Sequence, residues 1–367
     1  MSKARELSQR AGVDGALSNR NLIINGAMQV AQRGTSILAT NAGYKTVDRM
    51  YHNISAGAWT CTQESDAPVG FSKSAKLSCV STTGASAWDV VQFAQVIEGN
   101  NLQHLSYGTA SAQTVTLSFW VKSNVTGTYS VRLYNPEGQD RLISKNYTIN
   151  ASGVWEYKIV TFAGDTARNI ADGAVYGLNV AWWVDAGSGF SSGTTSDVWR
   201  DYQGIDEAPN QVRVGASAGN YWQITGVQLE VGDTATPFEH RSYGQELALC
   251  QRYYQKSYPQ AVTPSDSYVG GVEGPLAAHS TSHSYGSVIN YPVVMRTYPT
   301  ITFYANAGTS GTAGKWAYYN GSWNVVDNIG VANITDSFFA PSLTKSSGYA
   351  AQNVYLFSGN YTLDAEL

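Results

Sequence analysis

The sequence predicts an all-β protein made of two jelly-roll-like β-sandwich domains, joined by a short α-helix and preceded by an N-terminal arm. Three observations lead to this prediction. Short apolar runs alternate with polar residues at a period of two, Gly, Asn and Pro turn signals separate these runs, and a single convincing segment has helical spacing. With 367 residues, the chain is long enough for two domains that each bury a core.

Residues 21–242 make up the first predicted domain. In "TVTLSFWVKS", Val115, Leu117, Phe119 and Val121 point to one face of a strand. The stretches "GTYSVRLYN", "SGVWEYKIVTF" and "AVYGLNVAWWV" alternate in the same way. Many short strands without intervening helical patterns are typical of an antiparallel sandwich or jelly roll, and they exclude a parallel α/β sheet.

The end of this domain has two further features. Residues 187–219 are rich in Gly, Ser and Thr, which predicts a long surface loop. The stretch "YWQITGVQLEVG" then closes the sandwich as a strand, and its apolar face is predicted to consist of Val227, Leu229 and Val231.

Residues 243–258 are predicted to form the connecting helix. In "QELALCQRYYQKS", Leu247, Cys250 and Tyr254 share one helical face, and the segment ends before Pro259. About three turns are too few for a helix to be stable alone, so another surface must cover this face. The sequence leaves two solutions open. The face packs against the same residues of two sister chains at a trimer axis, or it packs on the sandwich of its own chain.

Residues 259–367 are predicted to form the second β-sandwich. Asn320 and Gly321 indicate the turn of a β-hairpin. The closing stretch "NVYLFSGNYTLDAEL" predicts two more short strands, divided by Gly359 and Asn360. We therefore expect the last residues to be tied into a sheet.

Residues 1–20 are predicted to be an attachment arm. Leu7, Val13 and Leu17 stand among polar residues and provide too little apolar surface for independent folding. We expect a peptide that orders on a partner, with a disordered tail as the alternative. The segment lacks the apolar core of a signal peptide, which indicates a protein made in a cytoplasm and not exported by that route.

The composition narrows the classes of function. Charged residues make up 14% of the chain and the formal net charge is −4. A duplex-binding protein needs clustered Lys and Arg to neutralise phosphates, and the sequence has no such cluster, so we expect no nucleic-acid partner. No apolar run approaches the roughly 20 residues of a membrane span, so we expect no membrane insertion.

The sequence contains little that indicates metal binding or catalysis. His279 and His283 are four residues apart in a Ser-rich stretch that reads as loop or strand, so no metal site is predicted. No nucleophile elbow, zinc-protease motif or phosphate-binding Gly loop is present, so we expect neither an enzyme nor a cofactor. A structural calcium ion remains an alternative. A disulfide bond between Cys61 and Cys79 also stays open.

Five stretches, in this order, resemble the tail-fibre and receptor-binding proteins of tailed bacteriophages, especially phages of aquatic bacteria. They are "NRNLIINGAMQVAQRGTS", "TLSFWVKSNVTGTYSVRL", "WQITGVQLEVGDTATPFEHRSYGQELALCQRYYQKS", "PVVMRTYPTIT" and "LDAEL". The resemblance extends from about residue 21 to the last residue. The middle domain of that family is similar to carbohydrate-binding jelly-roll modules.

The resemblance implies a virion structural protein that adheres to the host surface as a homotrimeric fibre. The N-terminal arm, with Leu7, Val13 and Leu17, would then attach to other virion proteins. The C-terminal domain would be the tip that binds a host glycan or surface protein. Two alternatives remain open: a capsid or head decoration fibre of the same architecture, and a glycan-cleaving depolymerase. A third alternative, a secreted bacterial carbohydrate-binding protein, is disfavoured by the missing signal peptide. The expected location is the phage tail, or else the capsid surface, after synthesis in the host cytoplasm.

Glycan recognition needs flat aromatic faces together with amides, carboxylates and hydroxyls. In the first domain, the predicted binding residues are Trp183, Trp199 and Tyr202. In the C-terminal domain, they are Tyr285, Trp316, Tyr318, Tyr319 and Trp323. Trp183 follows Trp182 on a strand, so the two must face opposite sides and one belongs to the core. The alternative is that these rings pack the sandwich cores and a trimer seam.

Overall fold

The computed structural model describes residues 19–84, 86–309, 312–346, 349–350 and 352–367. Within these ranges most of the regular secondary structure is β-strand, and the strand pairs are antiparallel, which confirms the predicted all-β class. None of the helices in these ranges is long and apolar enough to cross a membrane. Leu7, Val13 and Leu17 lie outside the described residues.

The first unit is a sandwich of two sheets. Sheet A has six strands, in the spatial order β1 (Ser36–Ala39), β4 (Ala58–Glu64), β5 (Ser74–Ser81), β13 (Tyr221–Val231), β7 (Val115–Ser123) and β10 (Glu156–Phe162). Sheet B has seven, in the order β12 (Arg200–Asp201), β9 (Arg141–Ile149), β8 (Gly127–Asn135), β11 (Tyr176–Ala186), β6 (Val90–Glu98), β3 (Tyr51–Ile54) and β2 (Gly43–Tyr44).

The inner faces of the two sheets share one apolar core. Val115, Leu117, Phe119 and Val121 of β7 are all buried in it, as the period-two pattern predicts. Trp182 of β11 meets Phe119 from the opposite sheet, with ring centroids 5.7 Å apart and an edge-to-face geometry. The alternating side chains of the strands therefore hold the two sheets together.

Strand β13 corrects one detail of the sequence prediction. A β-bulge between Thr225 and Gln228 shifts its register against β7. As a result, Trp222 and Ile224 before the bulge and Leu229 after it all reach the same core. The prediction that only Val227, Leu229 and Val231 form the apolar face is wrong, because one extra residue moves the remaining side chains to the other face.

The C-terminal unit is a ten-stranded sheet centred on one long strand, β23 (Val354–Asp364). Its main order is β17 (Ile289–Asn290), β22 (Phe338–Thr344), β16 (His283–Gly286), β15 (Val272–Ala278), β23, β19 (Ala317–Tyr319) and β20 (Trp323–Val325). Strands β14 (Tyr254–Lys256) and β18 (Thr300–Tyr304) also pair with β23, and β21 (Asn328–Ile334) pairs with β22.

Two expectations for this unit have different outcomes. The hairpin at Asn320 and Gly321 is confirmed, since β19 and β20 flank them and Gly321 has a φ of 105°. The break predicted at Gly359 and Asn360 is wrong, because β23 runs through both. A Cβ at position 359 would lie 2.0 Å from the Trp316 ring. Gly359 therefore permits close packing of an indole, and it does not form a turn.

Two short α-helices are described, α1 (Ser188–Ser191) and α2 (Tyr243–Gln251). The predicted connecting helix exists as α2, and Ser242 and Gln245 form a capping box at its start. However, α2 ends at Gln251, seven residues before the predicted end at residue 258. The chain changes to β-structure at this point because Tyr254–Lys256 pairs with β23.

The assignment of Cys250 and Tyr254 to a trimer axis is wrong. Both side chains are buried within their own chain, and the Arg33 guanidinium lies 3.7 Å from the centroid of the Tyr254 ring. Leu247 is half-buried. The structure therefore supports the second solution, in which the chain covers this face of α2 itself.

The two units are joined through buried charges near the last residues of the chain. The carboxylate of Glu366 forms an ion pair with Arg49 and lies 3.3 Å from Nη1 of Arg33. Arg49 and Glu366 are almost fully buried. Arg252, at the end of α2, also donates two hydrogen bonds, of 2.8 and 2.9 Å, to Glu98 of sheet B. These contacts fix the C-terminal unit against the first unit.

The cysteines form no disulfide bond. Cys61, Cys79 and Cys250 are free and buried. Cys61 pairs in register with Leu77, and Cys79 pairs with Trp59, so the two cysteines are offset along the β4–β5 ladder. The bond that the sequence left open is therefore absent.

Candidate functional site

The outward face of sheet B carries the chemistry that is best suited to a ligand. Successive strand residues point to opposite sides of a sheet. On β8, Tyr129, Val131 and Leu133 are buried in the core. Arg132 and Tyr134 therefore lie on the outward face, where polar and aromatic side chains from neighbouring strands meet them.

Five tyrosines on this side of the sheet form what we call the tyrosine face, and they are Tyr44, Tyr51, Tyr134, Tyr176 and Tyr202. The Tyr134 ring contacts Tyr202 and Tyr176 edge to face, with centroids 5.9 and 6.4 Å apart. The Tyr44 and Tyr51 rings make a similar contact at 5.2 Å. Tyr202 is 36% exposed and the other four are half-buried, so the face offers ring edges and planes to solvent.

The register of the strands sets the distance across this face. Tyr51 pairs with Ala94, Ala94 with Ala181, and Ala181 with Arg132. Tyr51 and Arg132 are therefore three strand spacings apart, which corresponds to about 14 Å. Because the two residues between them are alanines, short side chains separate the Tyr51 end from the Tyr134 end.

A polar network surrounds the Tyr134 end. Arg132 forms an ion pair with Glu207, and its Nη1 donates a 3.0 Å hydrogen bond to Oδ1 of Asn179. The Arg132 guanidinium also lies 4.9 Å from the centroid of the Tyr134 ring. The Tyr134 hydroxyl donates a 2.6 Å hydrogen bond to Oδ2 of Asp140. Arg132, Asn179 and Glu207 are buried and pair with one another, whereas Asp140 is half-buried. The Asp140 carboxylate is therefore the polar group of this network that a ligand can reach beside the aromatic rings.

The environment keeps these tyrosine hydroxyls protonated. Burial, reinforced by the nearby Glu207 carboxylate, raises the pKa of Tyr202 to about 12. Burial is also the main cause that raises the pKa of Tyr176 to about 12, and the Arg132 charge opposes this shift. Neutral hydroxyls can donate hydrogen bonds as well as accept them.

Half-buried tyrosine rings beside a half-buried carboxylate are groups of the kinds that contact sugars. Aromatic rings pack against the C–H surfaces of a pyranose, while amides, carboxylates and a guanidinium pair with its hydroxyls. At the other end of the face, Nδ2 of Asn53 donates a 3.1 Å hydrogen bond to Oε1 of Gln92 and adds further amide groups.

Of the residues predicted in the first domain, only Tyr202 belongs to this face. Trp183 is 1% exposed and packs on Phe190, with centroids 5.2 Å apart, and Ala208 lies in the same buried cluster. The assignment of Trp183 to a sugar-binding surface is therefore wrong, because both Trp182 and Trp183 are buried. The segment containing Phe190 and Ala208 folds back over sheet B and buries the outward ring, so it is more than a surface loop.

Trp199 is also unavailable to a ligand. It is 6% exposed, its Nε1 donates a 2.7 Å hydrogen bond to the carbonyl oxygen of Ala163, and its ring meets Tyr107 edge to face at 5.8 Å. The sequence could not show that Trp199 is buried, because the residue that accepts its hydrogen bond is 36 positions away in the chain. Trp199 is a core residue.

The predicted residues of the C-terminal unit divide into two groups. Trp316 and Tyr318 are buried in the core of this unit, which corrects their assignment to a binding surface. Tyr285, Tyr319 and Trp323 lie on the opposite, outward side of the sheet. Tyr319 pairs with Trp323, and their rings are 5.4 Å apart.

Two exposed aliphatic side chains of β23 continue this outward side. Leu356 pairs with Tyr319, and Val354 pairs with Ala277, which in turn pairs with Tyr285. We call the surface formed by Tyr285, Tyr319, Trp323, Val354 and Leu356 the C-terminal face. Tyr319 and Trp323 are thus in contact, and Tyr285 lies on the same side of the sheet, three strands away from Tyr319.

The sequence analysis missed the other four members of the tyrosine face, which are Tyr44, Tyr51, Tyr134 and Tyr176. The alternation in "GTYSVRLYN" contains the signal for one of them, because it places Tyr134 on the side opposite the core residue Leu133. The contact with Tyr176 depends on the pairing of β8 with β11, which are more than forty residues apart in the chain. No pattern within either strand predicts the pairing of β8 with β11.

The described residues contain no group of three or more His, Cys, Asp or Glu side chains that could hold a metal ion. His279 and His283 face each other across a tight turn, in which the backbone N–H of His279 donates a 2.9 Å hydrogen bond to the carbonyl oxygen of His283. The structural calcium ion considered from the sequence stays a prediction.

No protein-family model matches the chain, and no curated protein matches it. Several solved structures are similar to it. A CBM4 structure is 13% identical with a TM-score of 0.30, covering 57% of this chain and 98% of that one. The CBM22-1 xylan-binding domain of Paenibacillus barcinonensis Xyn10C is 9% identical with a TM-score of 0.25, covering 60% and 100%.

A third similar structure is the family 11 carbohydrate-binding module of Clostridium thermocellum in complex with a β-1,3-1,4-mixed-linked tetrasaccharide. It is 10% identical with a TM-score of 0.25, and the match covers 55% of this chain and 99% of that one. At such low identity and TM-score, these similarities do not assign a function to this chain.

Proposed function

We propose that this chain is a non-catalytic glycan-binding protein and that the tyrosine face of sheet B holds the sugar. One observation carries the proposal. The Tyr134 ring contacts two other tyrosines, and the same few ångströms contain the Arg132 guanidinium, the Asp140 carboxylate and the Asn179 amide. Rings beside directional polar groups match the alternating C–H and O–H surfaces of a pyranose.

In the more specific form of this proposal, the chain is the receptor-binding fibre protein of a tailed phage. The sequence resemblance described above supports this form. A homotrimer would present three copies of each weak site and so raise the avidity for a repetitive host surface. No cofactor is needed. The fibre would be located on the phage tail, with the capsid surface as the alternative.

The C-terminal face is a second candidate for receptor contact. Val354 is 70% exposed, Leu356 is 45% exposed, and Tyr285 and Tyr319 beside them are also exposed. A contiguous exposed apolar surface of this kind often marks a binding surface. It offers more aliphatic area and fewer polar groups than the tyrosine face, which favours a protein receptor over a glycan.

Glycan-array screening of the full chain, followed by calorimetry with the best ligand, tests the proposal. We expect Tyr134→Ala and Tyr202→Ala to weaken binding of the best ligand by about 2 kcal/mol or more. Tyr298→Ala is the matched control, since Tyr298 is exposed and belongs to neither face. If Tyr285→Ala and Tyr319→Ala remove binding while the tyrosine-face variants retain it, recognition lies on the C-terminal face.

Three further measurements test the more specific form. Light scattering of the purified chain reports the mass of a trimer or of a single chain. Cryo-electron microscopy of the virion locates the protein on the tail or on the capsid. Incubation with host polysaccharide, followed by an assay for new reducing ends, tests the depolymerase alternative, and release of oligosaccharides would overturn the non-catalytic assignment.

A further inference from the structure

A groove of about 520 Å³ opens between two segments of the first unit that belong to neither proposed surface. One wall comes from residues 102–111, which follow β6, and the other from residues 169–170, which precede β11. The volume lies in the range of small-molecule sites, which runs from roughly 300 to 1,000 Å³. Leu102, Tyr107 and Ile170 line it and are buried, so its floor is apolar.

The two walls are held together without a ligand. The backbone N–H of Gly108 donates a 2.7 Å hydrogen bond to the carbonyl oxygen of Asp165. Gly108 has a φ of +81°, and a Cβ there would lie 2.6 Å from the backbone nitrogen of Asn169. Only glycine allows this close approach. The groove is therefore formed in advance, which lowers the entropic cost of binding.

The rim of the groove is polar and uncharged. It is formed by Gln103, Ser106, Thr109, Ser111 and Asn169. The Thr109 hydroxyl already donates a 2.7 Å hydrogen bond to the carbonyl oxygen of Ser106. By contrast, the side chains of Ser106, Ser111 and Asn169 have no hydrogen-bond partner within the described ranges, so they are free to meet a ligand.

A buried hydroxyl adds an independent observation. Tyr107 is 5% exposed, and its hydroxyl has no hydrogen-bond partner among the described residues. A buried polar group without a partner is destabilising, and an ordered water behind the groove wall offsets that cost. Tyr107 therefore contributes the edge of its ring to the apolar floor, and its unpaired hydroxyl lies below the surface that a ligand touches.

We propose that this groove is a second binding site, and that its ligand is a neutral saccharide of one or two sugar units. Hydroxyl and amide groups on the rim pair with sugar hydroxyls, and the apolar floor takes the C–H face of the ring. A phosphorylated or acidic sugar does not fit, because the groove would desolvate its charge with no cationic side chain in the lining. The saccharide is either free or the end of a polysaccharide.

Calorimetry on the full chain tests this proposal. The probes are glucose, galactose, mannose, N-acetylglucosamine and their disaccharides, with glucuronic acid and glucose 6-phosphate as anionic counterparts. Ser111→Trp and Asn169→Trp fill the groove from opposite walls, and both positions are exposed. Ser217→Trp, at an exposed position outside the lining, is the matched control, and Tyr202→Ala separates this site from the tyrosine face.

We expect at least one neutral probe to bind to the wild-type chain. Each groove variant should weaken the affinity for that probe roughly ten-fold or more, and the anionic probes should bind to the wild type at least about ten-fold more weakly than their neutral counterparts. Ser217→Trp should leave this affinity unchanged, and any binding that Tyr202→Ala removes belongs to the tyrosine face. Binding of monosaccharides identifies a free sugar as the ligand, whereas binding of disaccharides alone identifies a polysaccharide end. The proposal is overturned if no neutral probe binds, if both groove variants bind normally while folded, or if Tyr202→Ala alone removes binding.

Discussion

The Tyr134 hydroxyl donates a 2.6 Å hydrogen bond to Oδ2 of Asp140, while the Tyr134 ring contacts the rings of Tyr176 and Tyr202. One side chain thus links the aromatic and the polar parts of the proposed sugar site. Tyr134→Phe keeps the ring and removes the hydrogen bond, so we expect glycan affinity to fall by about 1 kcal/mol.

Tyr134→Ala removes the ring as well, and we expect a loss of about 2 kcal/mol or more. Calorimetry with the best array ligand measures both values, and thermal unfolding shows whether each variant is folded. Equal affinities for the wild type and both folded variants would contradict the role assigned to Tyr134.

The buried Glu366 carboxylate should contribute strongly to stability. It pairs with Arg49 and Arg33, whose side chains are also buried, and its removal leaves those cations without a full set of partners. Breaking a buried pair costs about 3–5 kcal/mol, so Glu366→Ala should lower the free energy of unfolding by that order. Chemical denaturation measures it.

Asp364 provides the matched control for Glu366. Its carboxylate lies 3.1 Å from Nη2 of Arg33, but its side chain is 44% exposed. Water screens such a pair, so Asp364→Ala should cost only about 0–1 kcal/mol. Equal losses for the two variants would show that burial does not determine the strength of this contact.

Protonation of His52 should destabilise the protein at acidic pH. His52 is buried against Phe93, with ring centroids 5.2 Å apart, and burial lowers the pKa of His52 to about 3. In the unfolded chain the pKa is near 6.5, so below that pH the unfolded state binds a proton that the folded state excludes. The contribution of His52 to the free energy of unfolding is therefore fully present above the unfolded pKa. It falls as the pH decreases from about 6.5 towards 3, by at most about 1.4 kcal/mol per pH unit.

Denaturation curves between neutral pH and pH 4 test this prediction. A folded His52→Leu variant should lose less stability over that range than the wild type. His283→Gln, which changes an exposed histidine, should behave like the wild type. An unchanged slope in His52→Leu would mean that other groups cause the acid sensitivity.

Gly226 in the bulge of β13 should tolerate no larger side chain. Its φ is +62°, and a Cβ there would lie 2.7 Å from Cζ of Phe71, whose ring also contacts Phe238. Gly226→Ala should destabilise the chain by about 1–3 kcal/mol. Gly244 in α2 has open space around it, so Gly244→Ala should stabilise the chain by about 0.5–1 kcal/mol. Urea unfolding compares the two variants, and a neutral Gly226→Ala would contradict this reading of the bulge.

Structural features that depend on neighbouring residues in the sequence could be predicted. The alternation through Val115 and Val121 gives the core face of β7, and the Asn320-Gly321 turn gives the hairpin. The face switch at Gly226 was not predictable, because a bulge inserts one residue without changing the composition of the strand. The prediction of a strand break at Gly359 was wrong for a related reason, because the role of Gly359 depends on the Trp316 ring, which is distant in the sequence.

The candidate site was only partly predictable. The sequence identified Tyr202 as a surface aromatic, but it also selected Trp183 and Trp199, which the fold buries. Whether a ring on a strand meets solvent depends on which loop crosses it, and that is a long-range property. Tyr51 and Tyr134 come to one face through pairing across β6, β11 and β8, which no spacing within either segment encodes.

A crystal structure of the chain with an oligosaccharide chosen from the glycan array tests the central claim most directly. We predict a sugar ring packed against Tyr134 and Tyr202, with its hydroxyls bonded to Asp140. A saccharide bound only at the C-terminal face, with the tyrosine face unchanged, would contradict the account.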